Sequence, residues 1–432
     1  MLGALVTVAA LVLGAPGVDL RAGVDALERT RVTTVAGESL TTTAIEATPA
    51  AALDLRGVDL DVGAGYAPVL RVPQVEGAAE LDVLHRGDLH LLARLSPTWR
   101  AYAAVGGEAG TTDLRTSTGS PGVASPVPTL AIVRTARIEG RGYVEGRLDP
   151  RTIGAVRVRV TAGGGDDLAS RVLVPVQQTL EAEGRIAWNA TRHDVLATRL
   201  DAGTGRTPAT GALYRYATLS SGLAHRYSPA LEASGAVGVS WLRSVEYPDR
   251  HLSGLEPAGE AAITHSLQRP ARIDTRLEVR LAPYLDPLVG GANQRLHAAA
   301  SSMWQISTQW KVAARGAMGR SLTGAQRAFD SFAEVRLDWA PAERLGFGIG
   351  ATSDWQRARP GTGLPAYTEY GVFVSARFEY GPRVPRAARR PGSDLGNGHG
   401  SREGDDSAGT PGGGGAAPAG RGDARGGGEP TP

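Results

Sequence analysis

The stretch RIDTRLEVRL, Arg272 to Leu281, alternates charged with uncharged side chains without a break. Successive residues of an extended strand point to opposite faces, so Arg272, Asp274, Arg276, Glu278 and Arg280 share one face. Ile273, Thr275, Leu277, Val279 and Leu281 share the other. One face belongs in water and the other in an apolar phase. The repetition of this pattern is what constrains the fold: beyond about residue 54, segments of roughly ten to fifteen residues repeat it, each bounded by turn residues.

The turns come in two kinds. Short ones carry proline or a tight polar pair: SPT at Ser96, LDPRT at Asp149, RYSPA at Ser228, QRPAR at Pro270 and APAE at Pro341. Long ones are rich in Gly, Ser, Thr and Pro, as over 107–128, 163–175, 201–211 and 357–367. Short and long take turns along the chain. A soluble sandwich has no reason for that order, whereas a membrane barrel puts short turns on one side and long loops on the other. The expected fold is therefore all-β, a transmembrane antiparallel up-and-down β-barrel of about 16 strands, range roughly 12 to 18, with both ends on the short-turn side. The first strand is expected near 57–66 and the last at 367–380. Leu60, Val62, Leu91, Trp99, Val156, Val158, Trp188, Val237, Val239, Trp241, Leu277, Val279, Trp304, Trp310, Trp339, Phe347, Ile349, Val372 and Val374 are expected to face lipid.

Composition agrees. Hydrophobic residues make up 42% of 432, and no apolar run past the N-terminus is long enough for a membrane-spanning helix. The net charge of +2 is too small to imply nucleic acid, and Lys311 is the only lysine. Cysteine is absent, which removes disulfides and thiolate chemistry and suits export through an oxidising compartment. The apolar stretch Leu2 to Leu13, followed by small residues, reads as a signal peptide over 1–16, although no Lys or Arg precedes it. The remaining expected segments are a periplasmic N-terminal stretch at 17–53, the barrel at 54–380 and a disordered Gly/Pro-rich tail at 381–432.

The expected inward face carries the chemistry. Arg137, Glu139, Arg141, Glu145, Arg157, Arg159, Glu181, Glu183 and Arg185 share one parity, and with the 272–280 row they would line the lumen. A hairpin turning at Asp149 and Pro150 sets Arg159 across from Arg141. The same counting sets Glu260 across from Arg280 and Asp338 across from Arg344. At the closing seam Arg377 would meet Asp59 and Asp61. Catalytic signals are weak. His265 and Ser266 are adjacent, hence on opposite faces, and the other histidines lack metal-ligand spacing. GGGDD at Gly163 lacks the Lys and Ser or Thr of a phosphate loop. No metal, cofactor or enzymatic activity is expected.

The final strand, TEYGVFVSARFEY, resembles the C-terminal signal strand of Gram-negative outer-membrane β-barrel proteins, carried here by Tyr370, Gly371, Phe378 and Tyr380. The resemblance implies an outer-membrane location, contact with outer-membrane lipid and recognition by the barrel-assembly machinery. The function expected is a polar, porin-like conduit for hydrophilic solutes or for an exported polymer such as polysaccharide, the latter with periplasmic export partners. The alternatives are a structural or surface-interaction barrel closed by its own ion pairs and, further off, an outer-membrane hydrolase. A long inward-folding loop would favour a restricted pore, and the best candidate for one is the stretch from Gly107 to Pro128.

Overall fold

The structure is a computed structural model that describes residues 17–35, 37–74, 81–113, 132–209, 211–246, 250–268, 271–285, 292–322, 328–358 and 366–380. The strands are β1 (Gly17–Val35), β2 (Glu38–Arg56), β3 (Leu60–Tyr66), β4 (Val69–Gln74), β5 (Asp82–Arg94), β6 (Trp99–Asp113), β7 (Ile132–Arg147) and β8 (Thr152–Gly165). A single turn of helix, α1 (Leu168–Leu173), follows. Then come β9 (Gln177–Asn189), β10 (Asp194–Thr207), β11 (Ala212–Ser228), β12 (Leu231–Glu246), β13 (Arg250–Leu267), β14 (Arg272–Leu285) and β15 (Ala292–Gln305). The last are β16 (Trp310–Ser321), β17 (Ala328–Ala342), β18 (Leu345–Ala358) and β19 (Tyr367–Tyr380).

Each strand pairs antiparallel with its chain neighbours, and β19 pairs with β1 from Ala22↔Tyr380 to Val35↔Tyr367, which closes the sheet. Closure removes both edges, the condition for a sheet to stand in lipid without unpaired backbone groups. β3 and β4 both lie between β2 and β5, so they are two halves of one strand broken between Tyr66 and Val69. The 19 segments less this one make 18 strands.

Two strands more than the expected 16 arise from the N-terminal segment. Residues 17–53, expected to be periplasmic, form β1 and most of β2. Their pattern is muted because alanines occupy outward-facing positions (Ala22, Ala26, Ala47, Ala51) and a proline, Pro49, falls within β2. The seam changes with them. Arg377 lies across from Asp25 of β1 and pairs with it at 3.5 Å, while Asp59 sits in the β2–β3 turn and Asp61 lies across from Arg56 and Leu92. The Asp338–Arg344 pairing also fails, because the register shifts between Trp339 and Ala342 and leaves Asp338 across from Gly348. Arg344 instead sits over the Tyr380 ring at 5.0 Å.

The strands also run further into the long connections than the Gly-rich sequence suggested, with β6 reaching Asp113, β8 Gly165 and β10 Thr207. Within the connection after β8, Asp167 caps α1 by accepting from the Ser170 backbone N–H at 2.7 Å. That bond holds the Asp167 carboxyl below its ordinary pKa. In the β7–β8 turn Asp149 accepts from the backbone N–H groups of Arg151 and Thr152. The proposed signal peptide and tail, 1–16 and 381–432, lie outside the described residues.

Among the described residues the buried apolar cluster inside the barrel is small, Tyr214 and Leu242 with Tyr216 packed against them. Large apolar side chains point outward, among them Leu277 at 48% and Val279 at 47% exposure, and the charged partners of the alternation point in. Trp99, Trp188, Trp304, Trp310 and Trp339 ring the outer face near the short turns, and Trp310 stacks on Trp339. A belt of amphipathic rings at that height is the pattern that membrane barrels carry at an interface. The buried polar residues Thr33, Glu46, Arg71, Thr112, Thr207, Arg295, Asp330, Gln356 and Glu369 cluster at the opposite, long-loop end.

Candidate channel lumen

The lumen wall is laced with ion pairs whose members come from alternate positions on one strand or on neighbouring strands. Glu139 of β7 accepts from Arg159 of β8 at 2.9 Å and from Arg141, with Arg137 at 3.6 Å. The register places Arg141 across from Arg159, Arg157 across from Glu183, and Arg159 across from Glu181. Arg157 approaches Glu183 at 3.9 Å and lies over the Tyr143 ring. Glu145 pairs with Arg100 at 2.7 Å, across the next strand boundary. Arg185 lies across from Arg199, which bonds Asp201 and reaches Glu183 at 3.6 Å. Arg199 also comes within 3.9 Å of Glu260 on β13, spanning two intervening strands. In the row that opened the sequence reading, Arg272 bonds Asp274 and Arg276 bonds Glu278, and Glu260 lies across from Arg280 as expected. These side chains share the inner face, and the register sets opposite signs beside like ones, with Arg141 across from Arg159 and Arg185 across from Arg199. Each partly exposed ion pair contributes little to stability, about 0–1 kcal/mol. Together they make a wall that water and ions can wet.

The interior narrows where strand pairing fails. β13 and β14 pair from Leu267↔Ile273 only as far as Gly259↔Leu281, although both strands continue toward the long-loop end. Beyond that point β14 stays with β15, and the Gln294 side-chain amide donates to the Pro257 carbonyl at 2.6 Å. Residues of β15 approach β12, although β13 and β14 lie between them around the wall. Ser240 and Ser244, on the inner face of β12, are fully buried, while Trp241 and Arg243 on its outer face are exposed. The described long-loop ends of β14 and β15 therefore leave the wall and lean over the inside of β12.

Arg295 anchors this lean. Its guanidinium crosses Gly319 of β16, where a Cβ would occupy the same space, and reaches both carboxylate oxygens of Asp330 on β17 at 2.5 and 2.6 Å. The Tyr284 ring lies 4.7 Å below the guanidinium. The two charged side chains are only 5% and 1% exposed. A Cβ at 319 would therefore push the guanidinium off this path. Further along the same wall, at the β1–β19 seam, Thr33 donates to Glu369 at 2.8 Å, and Arg31 approaches Glu369 at 3.8 Å. Arg29 lies over the Phe373 ring at 5.7 Å, and no carboxylate pairs with it among the described residues.

Sequence reasoning missed Arg295, Asp330, Arg29 and the Arg21–Asp54–His90 chain on the inner face of β1, β2 and β5. The first pair carries a faint signal, since Arg295 and His297 share an inward parity on β15. Its partner on β17 is set by a glycine gap that no periodicity reports. Of the candidate inward loop, residues 107–113 belong to β6, and 114–128 lie outside the described residues. Tyr370, Phe378 and Tyr380 are exposed on the outer face of β19, and Gly371 points inward. His265 and Ser266 fall on opposite faces, Ser266 bonding Asp274 in the lumen.

No protein-family model matches the chain, and no curated protein does. Among solved structures it is similar to Pseudomonas aeruginosa OccK2 (OpdF), determined in complex with glucuronate, at 10% identity over 83% of this chain and 98% of that one, TM-score 0.45. Similar likenesses hold for Pseudomonas aeruginosa OpdO (12% identity, 84% and 98%, TM-score 0.45) and Acinetobacter baumannii OccAB3 (10%, 84% and 99%, TM-score 0.41). Likeness at this level says nothing of what passes through this barrel, and its fold rests on its own strand pairing.

Proposed function

We propose that this barrel stands in an outer membrane and conducts small hydrophilic solutes through a charge-lined lumen that the leaning β14–β15 hairpin narrows. The observation that carries the reading is the sorting of faces: apolar and aromatic side chains outside, interleaved Arg and Glu or Asp inside, on one closed sheet of 18 strands. Fixed wall charge attracts counter-ions and so tunes what passes. The aromatic strand end at Phe378 and Tyr380 supports assembly by the outer-membrane machinery. The Arg295–Asp330 anchor favours one rival, a structural barrel shut by its own ion pairs. Nothing in the described lumen favours a polymer, whose passage needs an uninterrupted bore.

Single-channel recording separates these readings. The purified full chain in a planar bilayer should give steady conductance, and Arg141→Glu, Arg157→Glu and Arg159→Glu combined should move selectivity toward cations. The shift should fade at high salt, because the Debye length is about 10 Å at 0.1 M and about 3 Å at 1 M. A silent bilayer, with folding demonstrated by a heat-dependent gel shift, would establish the closed barrel instead.

A further inference from the structure

The outward-facing arginines of the described strands are not spread over the lipid-facing surface. Arg134, Arg206, Arg215, Arg243, Arg320 and Arg357 all stand toward the long-loop ends of their strands, opposite the tryptophan-rich short-turn end. Two of them stand directly above an interfacial tryptophan on the same strand face, Arg243 above Trp241 and Arg357 above Trp355. Arg134 pairs with Asp166 at 3.5 Å, and Arg206 bonds the Gln178 side chain.

Arg215 and Arg243 differ from these. They lie directly across from one another on β11 and β12. Residues so placed have Cβ atoms roughly 4.5–5.5 Å apart, and like charges there repel. Both side chains are exposed, and no carboxylate pairs with either among the described residues. Arg206 stands diagonally beside them, since Leu213 is its partner on β11. The described outward residues around them, Leu180, Ala202, Thr204, Ala217, Trp241, Ser253 and Leu255, include no acid. Such an arrangement costs free energy until an anion lies between the two forks. The guanidinium fork matches phosphate bidentately, and the height just above Trp241 is that of lipid headgroups.

We propose that Arg215 and Arg243, assisted by Arg206, bind the phosphate of an anionic lipid in the leaflet on the long-loop side. The proposal rests on the outer face of the barrel meeting lipid, and it is independent of whether the lumen conducts. It also fixes orientation, since the leaflet on the long-loop side would be the one rich in phosphate-bearing lipid.

The test uses the full chain folded in a non-ionic detergent, with lipid binding read by native mass spectrometry against phosphatidic acid and phosphatidylcholine. The wild type should retain phosphatidic acid and not phosphatidylcholine. The combined Arg215→Gln and Arg243→Gln variant should need roughly tenfold more phosphatidic acid for the same occupancy, while Arg215→Lys with Arg243→Lys should recover part of it. The heat-dependent gel shift confirms folding of each variant. Equal retention by the Gln variant would overturn the site. Displacement of the lipid by inorganic phosphate at equal concentration would overturn the lipid as ligand and leave a free-anion site. A non-conducting barrel that still shows the Arg-dependent retention would defeat the channel reading alone.

Discussion

Replacing Asp330 by Asn removes one member of a charge pair that is 5% and 1% exposed, and it leaves the Arg295 guanidinium buried with its principal counter-charge gone. An exposed pair would contribute about 0.2–1 kcal/mol. Breaking a buried pair costs about 3–5 kcal/mol, because the stranded charge keeps its desolvation penalty and loses the attraction that offset it. The exposures place this pair in the second class. Asp330→Asn should therefore lower unfolding stability by about 3 kcal/mol or more, measured by urea titration of barrels refolded into vesicles. Removing both charges, with Arg295→Met added, should return most of that loss, since no orphan charge remains. Both variants should also raise conductance, because the anchor of the leaning hairpin is gone. A loss under about 1 kcal/mol for Asp330→Asn, or a double variant as unstable as the sum of the single ones, would show that water screens the pair and that the constriction argument is wrong.

Gly319→Ala puts a methyl group where the Arg295 side chain runs, so it should reproduce the conductance rise without changing any charge. Phe378→Ala with Tyr380→Ala should sharply lower the yield of assembled barrel in outer-membrane fractions, whereas truncation after Gly381 should leave yield nearly unchanged. Deleting residues 17–56 should abolish the SDS-resistant, heat-modifiable folded form, because β19 would lose the whole β1 pairing that closes the sheet. At α1 the folded Asp167 pKa lies below its unfolded value, so the cap's contribution is present above about pH 4 and fades as pH falls through the folded value. Amide exchange at Ser170, compared with an Asp167→Ala variant, should converge on that variant in acid and stay slower than it at neutral pH.

The sequence by itself determined which side chains meet lipid and which meet water, because the period of two in a strand is rigid: RIDTRLEVRL reads the same in the chain and in β14. It also located the short turns, since Pro and Asp at Ser96–Thr98, Asp149–Arg151 and Ser228–Ala230 have few other uses. Local pairings across tight turns, such as Arg141 with Arg159 and Glu260 with Arg280, followed by counting. Counting failed where a bulge changed the register after Trp339, and where alanines and Pro49 made β1 and β2 look too bland to be strands. Only the closed sheet decided that Arg377 meets Asp25, because the seam joins residues from the two ends of the chain. Only the tertiary structure sent Arg295 over Gly319 to Asp330 and parted β13 from β14, since those depend on the space left by a missing Cβ and on how a cylinder bends inward. Periodicity along one strand contains neither quantity.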